Sequence, residues 1–221
     1  MYFDTAEGPV FRPPSEADSF ILRVTVGCSH NRCTYCNMYR TVRFRVRPLA
    51  EIIEQIERAK PYREYIRRVF LADGNALVLP TPRLLELLEI LYAKFPKLRR
   101  VASYAGPQDI LRKTPAELAA LKAAGLKLLY CGLESGDDEV LNHVDKGVNA
   151  AESIEAGQRV VAAGIKLSLM VILGLGGKRL STQHALHTAA AVNAIRPNML
   201  SALTLMLYCG SELREEYERG K

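Results

Sequence analysis

Three cysteines crowd into one short stretch of this chain, Gly27-Cys28-Ser29-His30-Asn31-Arg32-Cys33-Thr34-Tyr35-Cys36, directly after the apolar run Phe20-Ile21-Leu22-Arg23-Val24-Thr25-Val26. Thiolates gathered in one loop select an iron–sulfur cluster, zinc or Cu(I) over hard cations. Their number narrows the chemistry. A structural zinc ion closes its shell with four protein ligands, and an ordinary cubane cluster takes four cysteines. Three cysteines on a cubane leave one iron open to a substrate or cofactor.

Two other readings compete for the same residues. His30 could complete a zinc shell with the three thiolates, giving a structural module on an α/β scaffold. Such knuckles staple small folds, whereas 221 residues can build a core that needs no staple. Cys33-Thr34-Tyr35-Cys36 also has the spacing of a redox dithiol. That reading leaves Cys28 without a purpose and lacks a clear following helix to lower a thiol pKa. The five cysteines are odd in number and unevenly spread, unlike a disulfide framework. A reducing, cytoplasmic setting is expected. Met1 to Glu7 has no basic and apolar leader pattern, and no apolar run approaches the ~20 residues of a membrane span.

The elements that must position the cysteines alternate along the whole chain. Strands are predicted at 20–26, 67–72, 99–104, 127–133, 166–173 and 199–207, mostly as short, nearly continuous apolar runs. Between them, Pro48 opens a helix striped by Leu49, Ile52, Ile53 and Ile56. Thr81 is predicted to cap the next, ahead of Pro82. Thr114 and Glu117 form a capping box before a helix that Gly125 ends. Further helices are predicted at 136–144, 150–163 and 181–195. This repeat of βαβ units predicts one parallel α/β domain, either a partial barrel or a doubly wound sheet. It spans 20–207, after an irregular lead-in over 1–19 and before a short helical tail over 208–221.

In parallel α/β folds, chemistry sits at the carboxyl ends of the strands. The cysteine loop follows the first strand and belongs to that face. The second strand ends in Asp73-Gly74-Asn75, the third near Ser103-Tyr104, the fourth in Gly132-Leu133-Glu134-Ser135-Gly136, and the fifth in Gly174-Leu175-Gly176-Gly177. Acidic and small polar groups therefore gather around the cysteines, suited to a ligand with ammonium and hydroxyl groups. Plainer uses stay open: Asp73 with Gly74 can cap a turn, Glu134 can serve helix entry, and the glycine turn can be a tight connection. Period-two alternation turns Tyr130, Gly132 and Glu134 to one side and Cys131 to the helices, as a core residue.

The net charge of +6 invites a nucleic-acid reading. Arg43, Arg45 and Arg47 alternate with Val42, Phe44 and Val46, giving a cationic edge close to the cysteines. This edge tilts the expectation toward an anionic substrate, or serves only as a solvated face. Nucleic acid is not indicated, because only Tyr39 and Phe44 supply the interleaved aromatics that such a groove uses.

Taken together, these residues resemble the radical S-adenosylmethionine (SAM) superfamily. Its signature is three cysteines after the first strand, with an aromatic residue, here Tyr35, before the third. This chain departs from the common spacing, with four residues (Ser29 to Arg32) between its first two cysteines. The resemblance covers about 20–207 and implies a partial (β/α)6 TIM-like barrel of parallel strands. The Gly132-Leu133-Glu134-Ser135-Gly136 segment is similar to the branch of oxygen-independent coproporphyrinogen oxidases and tRNA methylthiotransferases. That branch carries a further C-terminal region, so this chain reads as a minimal or truncated core. Cys28, Cys33 and Cys36 are then expected to hold a [4Fe–4S] cluster whose open iron SAM chelates. Asp73, Gly74 and Asn75 fall where the family holds the SAM amino group. Glu134 matches the ribose position, Ile172 and Gly174 the adenine segment, and Tyr35 a further adenine contact. Ser103 and Ser168 are expected in the cavity wall. The resemblance further implies reductive SAM cleavage to a 5′-deoxyadenosyl radical, hydrogen abstraction from an unidentified substrate, and an external electron donor such as flavodoxin or ferredoxin.

Overall fold

Strict alternation of side chains along the strands decides which residues meet in each layer of this protein. The structure, a computed structural model, describes residues 9–219. The first eight residues of the expected lead-in and the last two of the tail lie outside the described residues. In chain order the elements are β1 (Phe20–Arg23), β2 (Thr25–Val26), β3 (Arg45–Val46), α1 (Leu49–Arg58), β4 (Arg68–Ala72), α2 (Thr81–Lys94) and β5 (Arg100–Tyr104). There follow α3 (Pro107–Leu111), α4 (Pro115–Ala123), β6 (Leu126–Glu134), α5 (Asp138–His143), α6 (Ala150–Ala162), β7 (Lys166–Leu173), α7 (Ser181–Ile195), β8 (Met199–Thr204) and α8 (Glu212–Glu218).

Six strands form one sheet in the order β1-β4-β5-β6-β7-β8, every pair parallel. On its helix side lie Phe20, Leu22, Val69, Leu71, Val101, Leu129, Cys131, Leu133, Leu167, Leu169 and Val171, packed under Ile52, Ile56, Leu84, Leu88, Leu91, Leu118 and Val160. On the inner side lie Ile21, Phe70, Ala72, Ala102, Leu128 and Tyr130, joined by Val10, Tyr104 and Met170. Residues from the loop after β1 and residues from β8 line one cavity, so the sheet curls until its two edges face a common chamber. This is the partial barrel, not the doubly wound alternative. No helix is long and apolar enough to cross a membrane, among the described residues.

Most helix punctuation reads as expected. Thr114 and Glu117 make the capping box of α4, and Asn149 and Glu152 make a second one on α6. Thr81 departs from expectation: it is already helical, Pro80 takes the capping position, and the Thr81 hydroxyl accepts from Lys113 Nζ at 3.4 Å. The short helix α3 was not anticipated, because five residues carry too little periodicity to announce it.

The lead-in is more ordered than its prolines suggest. Pro14–Glu16 forms a 3₁₀ turn that buries Glu16 fully. The Glu16 carboxylate accepts from Tyr130 OH at 2.6 Å, from Arg100 at 2.5 Å and from Ser19. A buried charge persists only when so satisfied, and this one plugs the barrel at the amino ends of β4 to β6. At the far edge, β8 ends at Thr204 instead of reaching 207, and all six of its residues are exposed.

Candidate functional site

The cysteine loop leaves the sheet after β1 and is pinned at its base by β2, which pairs antiparallel with β3. Within it, Asn31 bends the backbone at φ +46° and its amide donates to Tyr39 O at 2.8 Å. Asparagine is among the few side chains that tolerate this region. His30 Nε2 lies 2.6 Å from Asp145 O, and Thr34 N donates to Val144 O at 3.0 Å, stapling the loop to the segment after α5.

One guanidinium organises the interior of this loop. Arg40 donates to Cys36 O (3.1 Å), Cys33 O (2.9 Å), Arg32 O (3.1 Å) and Asn31 O (3.4 Å), and pairs with Glu212 at 3.2 Å. Only a planar, five-donor fork can collect carbonyls in this way. Arg40→Ala is expected to lose most of the metal bound after reconstitution while keeping its far-UV circular dichroism. Arg40→Lys keeps the charge without the fork and should bind an intermediate amount, read as iron and sulfide per chain.

Cys28, Cys33 and Cys36 are free, partly buried, and line a cavity of about 600 Å³. Burial pushes the Cys33 and Cys36 thiols up, and repulsion from the neighbouring cysteines adds to it. Lys146 opposes the rise at Cys33, as does the Met38 N–H at Cys36. Raised thiols disfavour a redox dithiol, which depends on a stabilised thiolate. The zinc reading fares no better. The His30 ring, its only candidate fourth ligand, is turned to Asp145 O at 2.6 Å. Three soft donors spread around one chamber suit a multi-iron core, whose positive charge would hold them as thiolates.

Five of the other sequence-predicted residues also line the cavity: Tyr35, Gly74, Asn75, Glu134 and Ile172. Gly74 is there because nothing larger fits. A Cβ on it would lie 3.0 Å from both Cys28 Cβ and the Tyr39 ring, so the glycine lets the strand end lie against the first cysteine. Asn75 is tied up on every side. Its amide nitrogen donates to Ser29 Oγ (2.9 Å) and to Asp109, and its oxygen accepts from Gly106 N at 3.2 Å.

Asp73, Ser103, Ser168 and Gly174 do not line this cavity. Asp73 is fully buried, 2.6 Å from the buried Arg23 guanidinium, and it accepts from Gly27 N at 3.0 Å. Burial pushes its carboxyl up while Arg23 and the Gly27 N–H pull against that. Through Oδ2 it ties β1 to β4 beneath the loop. Ser103 Oγ donates to Tyr104 O at 2.7 Å inside the strand layer. Gly174 turns outward at φ +88° with an exposed backbone. Asp73→Asn should therefore destabilise the fold by about 3 kcal/mol, because it removes the carboxylate charge that faces a buried guanidinium. In denaturant titrations that loss should exceed any change in ligand affinity measured on the folded fraction.

Opposite the cysteines, β6 alternates as expected, with Tyr130, Gly132 and Glu134 on the cavity and Cys131 in the helix-side core. Glu134 sits at φ +62° where the β6–β7 register shifts. Its carboxylate accepts from Lys146 Nζ at 2.9 Å, both side chains nearly buried. Burial alone would push the ammonium toward neutrality, but Glu134 and Cys33 hold it protonated, above the ordinary lysine range. Gly132 leaves the space that the Glu134 carboxylate occupies, and a Cβ there would come within 3.1 Å of Lys146 Nζ. Tyr35 has its phenol pushed well up, first by burial and then by the nearby Glu134 carboxylate. Behind this wall, His184 lies 3.1 Å from Ile172 O through Nε2 and 2.8 Å from Ser135 Oγ through Nδ1, joining the ends of β6 and β7.

Sequence reasoning missed Arg40, Lys146 and His184. The basic edge has a different use from the one anticipated. Arg47 is buried, and both Arg45 (3.3 Å) and Arg47 (3.0 Å) pair with Glu51, leaving Arg43 exposed.

A family profile described as "Radical SAM superfamily" matches residues 22–189. No curated protein matches the sequence. Among solved structures, the chain is similar to the cobalamin-dependent S-adenosylmethionine radical enzyme OxsB with aqua-cobalamin and S-adenosylmethionine bound, with TM-score 0.68 at 16% identity, over 91% of this chain and 35% of that one. It is similar to methylornithine synthase, PylB (TM-score 0.65, 16% identity, 87% and 55% of the two chains). It also resembles coproporphyrinogen III oxidase, HemN, from Escherichia coli (TM-score 0.65, 14% identity, 96% and 47%). The chain thus spans between a third and just over half of the length of these structures.

Proposed function

This chain belongs to the radical SAM superfamily, whose cofactors are a [4Fe–4S] cluster and SAM, and we propose that it is an enzyme that cleaves SAM reductively. The observation that carries this reading is the meeting of three free thiols with residues from the ends of several parallel strands in one chamber. Cys28, Cys33 and Cys36 hold the cluster in this account. When bound, the two cofactors supply one electron and the sulfonium C–S bond it breaks, yielding methionine and a 5′-deoxyadenosyl radical that abstracts hydrogen from substrate.

The chain's own residues bind and orient. Tyr35, Ile172 and Leu205 line the cavity together, an apolar wall suited to the adenine face. The Ile172 carbonyl stays fixed by His184. Glu134 accepts from Lys146, and a carboxylate has further lone pairs for ribose hydroxyls. Gly74 lets the backbone approach the cluster loop. An external donor of the flavodoxin or ferredoxin type delivers the electron.

The test is uncoupled turnover. Anaerobically reconstituted protein given dithionite and SAM should form 5′-deoxyadenosine, with none in the absence of the cluster. A fully loaded protein that forms no 5′-deoxyadenosine would overturn the proposal.

A further inference from the structure

The chamber carries a second surface away from the thiols. Phe11, Tyr104, Tyr130 and Met170 line it, and Leu203 and Met206 continue it to the open β8 edge. Tyr104 and Tyr130 pack edge to face on each other (ring centroids 6.1 Å apart) and on Phe70 (5.1 and 6.0 Å), so this floor is rigid.

A census of charge and of hydrogen-bonding groups limits what this floor can receive. Among the described residues, Glu134 and Lys146 are the only Asp, Glu, Lys or Arg side chains on the cavity, and they neutralise each other at 2.9 Å. His30 is engaged with Asp145 O. The nearby arginines are committed elsewhere, Arg40 to loop carbonyls and Glu212, Arg45 and Arg47 to Glu51. An anion seated on this floor would lose its water and find no unpaired protein cation beside it, which is unfavourable. The Tyr130 hydroxyl is held by Glu16 (2.6 Å) and Ser15 (2.7 Å), and the Tyr208 hydroxyl donates to Met206 Sδ at 3.2 Å. The Tyr104 hydroxyl has no protein partner among the described residues. Burial pushes its phenol well above the ordinary value, so it stays a donor.

We infer that the substrate group seated in this chamber is uncharged, with an apolar or aromatic body against Phe11, Tyr104, Tyr130 and Met170 and an acceptor that takes the Tyr104 hydroxyl. The inference rests on the radical SAM reading above and names the class of substrate for that site. It reverses the tilt toward an anion: any phosphate the substrate carries stays outside the β8 edge.

The experiment uses reconstituted protein with S-adenosylhomocysteine, and two probes of similar size, acetophenone and phenyl phosphate, followed by saturation-transfer NMR. Acetophenone should bind at least about tenfold more tightly than phenyl phosphate. Tyr104→Phe, which keeps the ring packing, should weaken acetophenone by roughly fivefold, the worth of one hydrogen bond, with the iron content unchanged. Equal or tighter phenyl phosphate binding would overturn the inference. So would acetophenone failing to bind protein that holds both cluster and S-adenosylhomocysteine, or binding Tyr104→Phe as well as wild type. A protein that takes up neither cluster nor S-adenosylhomocysteine would instead overturn the reading beneath it.

Discussion

Changing Cys28, Cys33 or Cys36 singly to alanine should strip nearly all iron from the reconstituted protein, while Cys131→Ala and Cys209→Ala keep it. The asymmetry follows from where the sulfurs sit. The first three line one chamber, and a cubane held at two corners has lost a protein ligand that nothing nearby replaces, since no other cysteine lines that wall. Unfolding would not account for the loss. The loop keeps its shape through Arg40, Asn31 and the β2–β3 ladder, none of which uses a cysteine side chain. Cys131 is buried among Leu129, Leu133 and other helix-side residues, and burial pushes its thiol up to about 12. It is a small core residue, and its truncation should cost about 1 kcal/mol without touching iron. Cys209 is exposed, and its backbone rather than its sulfur meets Asn37. Iron and sulfide analysis beside a thermal melt separates these outcomes.

Glu134→Gln should be the most damaging change outside the cysteines, and for two separable reasons. It removes the carboxylate paired with a nearly buried Lys146 ammonium, the two side chains being only 10% and 11% exposed. Breaking such a pair costs about 3–5 kcal/mol, whereas replacing both members by neutral groups can be close to neutral. It also removes the carboxylate proposed to meet the ribose. The double variant Glu134→Gln/Lys146→Met should regain most of the wild-type melting temperature and still bind SAM weakly in calorimetry. If the double variant regains both, the pair is a structural device only and the ribose assignment is wrong.

Legibility in the sequence tracked the range of the interactions. The strands, most helix caps and the inward parity of Tyr130, Gly132 and Glu134 are local consequences of period and turn chemistry, and they read directly. The gathering of the three cysteines was likewise legible, and the fold brings them to one cavity. The burial of Asp73 did not read in the sequence, because it depends on Arg23, a partner fifty residues away. Arg40 was invisible because backbone carbonyls leave no signature for a donor to match. Lys146 and His184 reach the site from the loop after α5 and from α7, across contacts that only the folded chain defines. Alternation from Arg43 to Arg47 looked like a cationic edge, but Glu51, one turn into the next helix, draws Arg45 and Arg47 to itself. The lead-in read as irregular because a 3₁₀ turn of three residues has no period, and the fully buried Glu16 that anchors it is a tertiary event.

The electron paramagnetic resonance spectrum of the reduced protein, recorded before and after SAM is added, asks the central question most directly. A cluster bound at Cys28, Cys33 and Cys36 with one iron free for the sulfonium nucleoside predicts a [4Fe–4S]⁺ signal whose g-values move on addition. A protein with no such signal, or with one that stays unchanged at saturating SAM, would contradict the account.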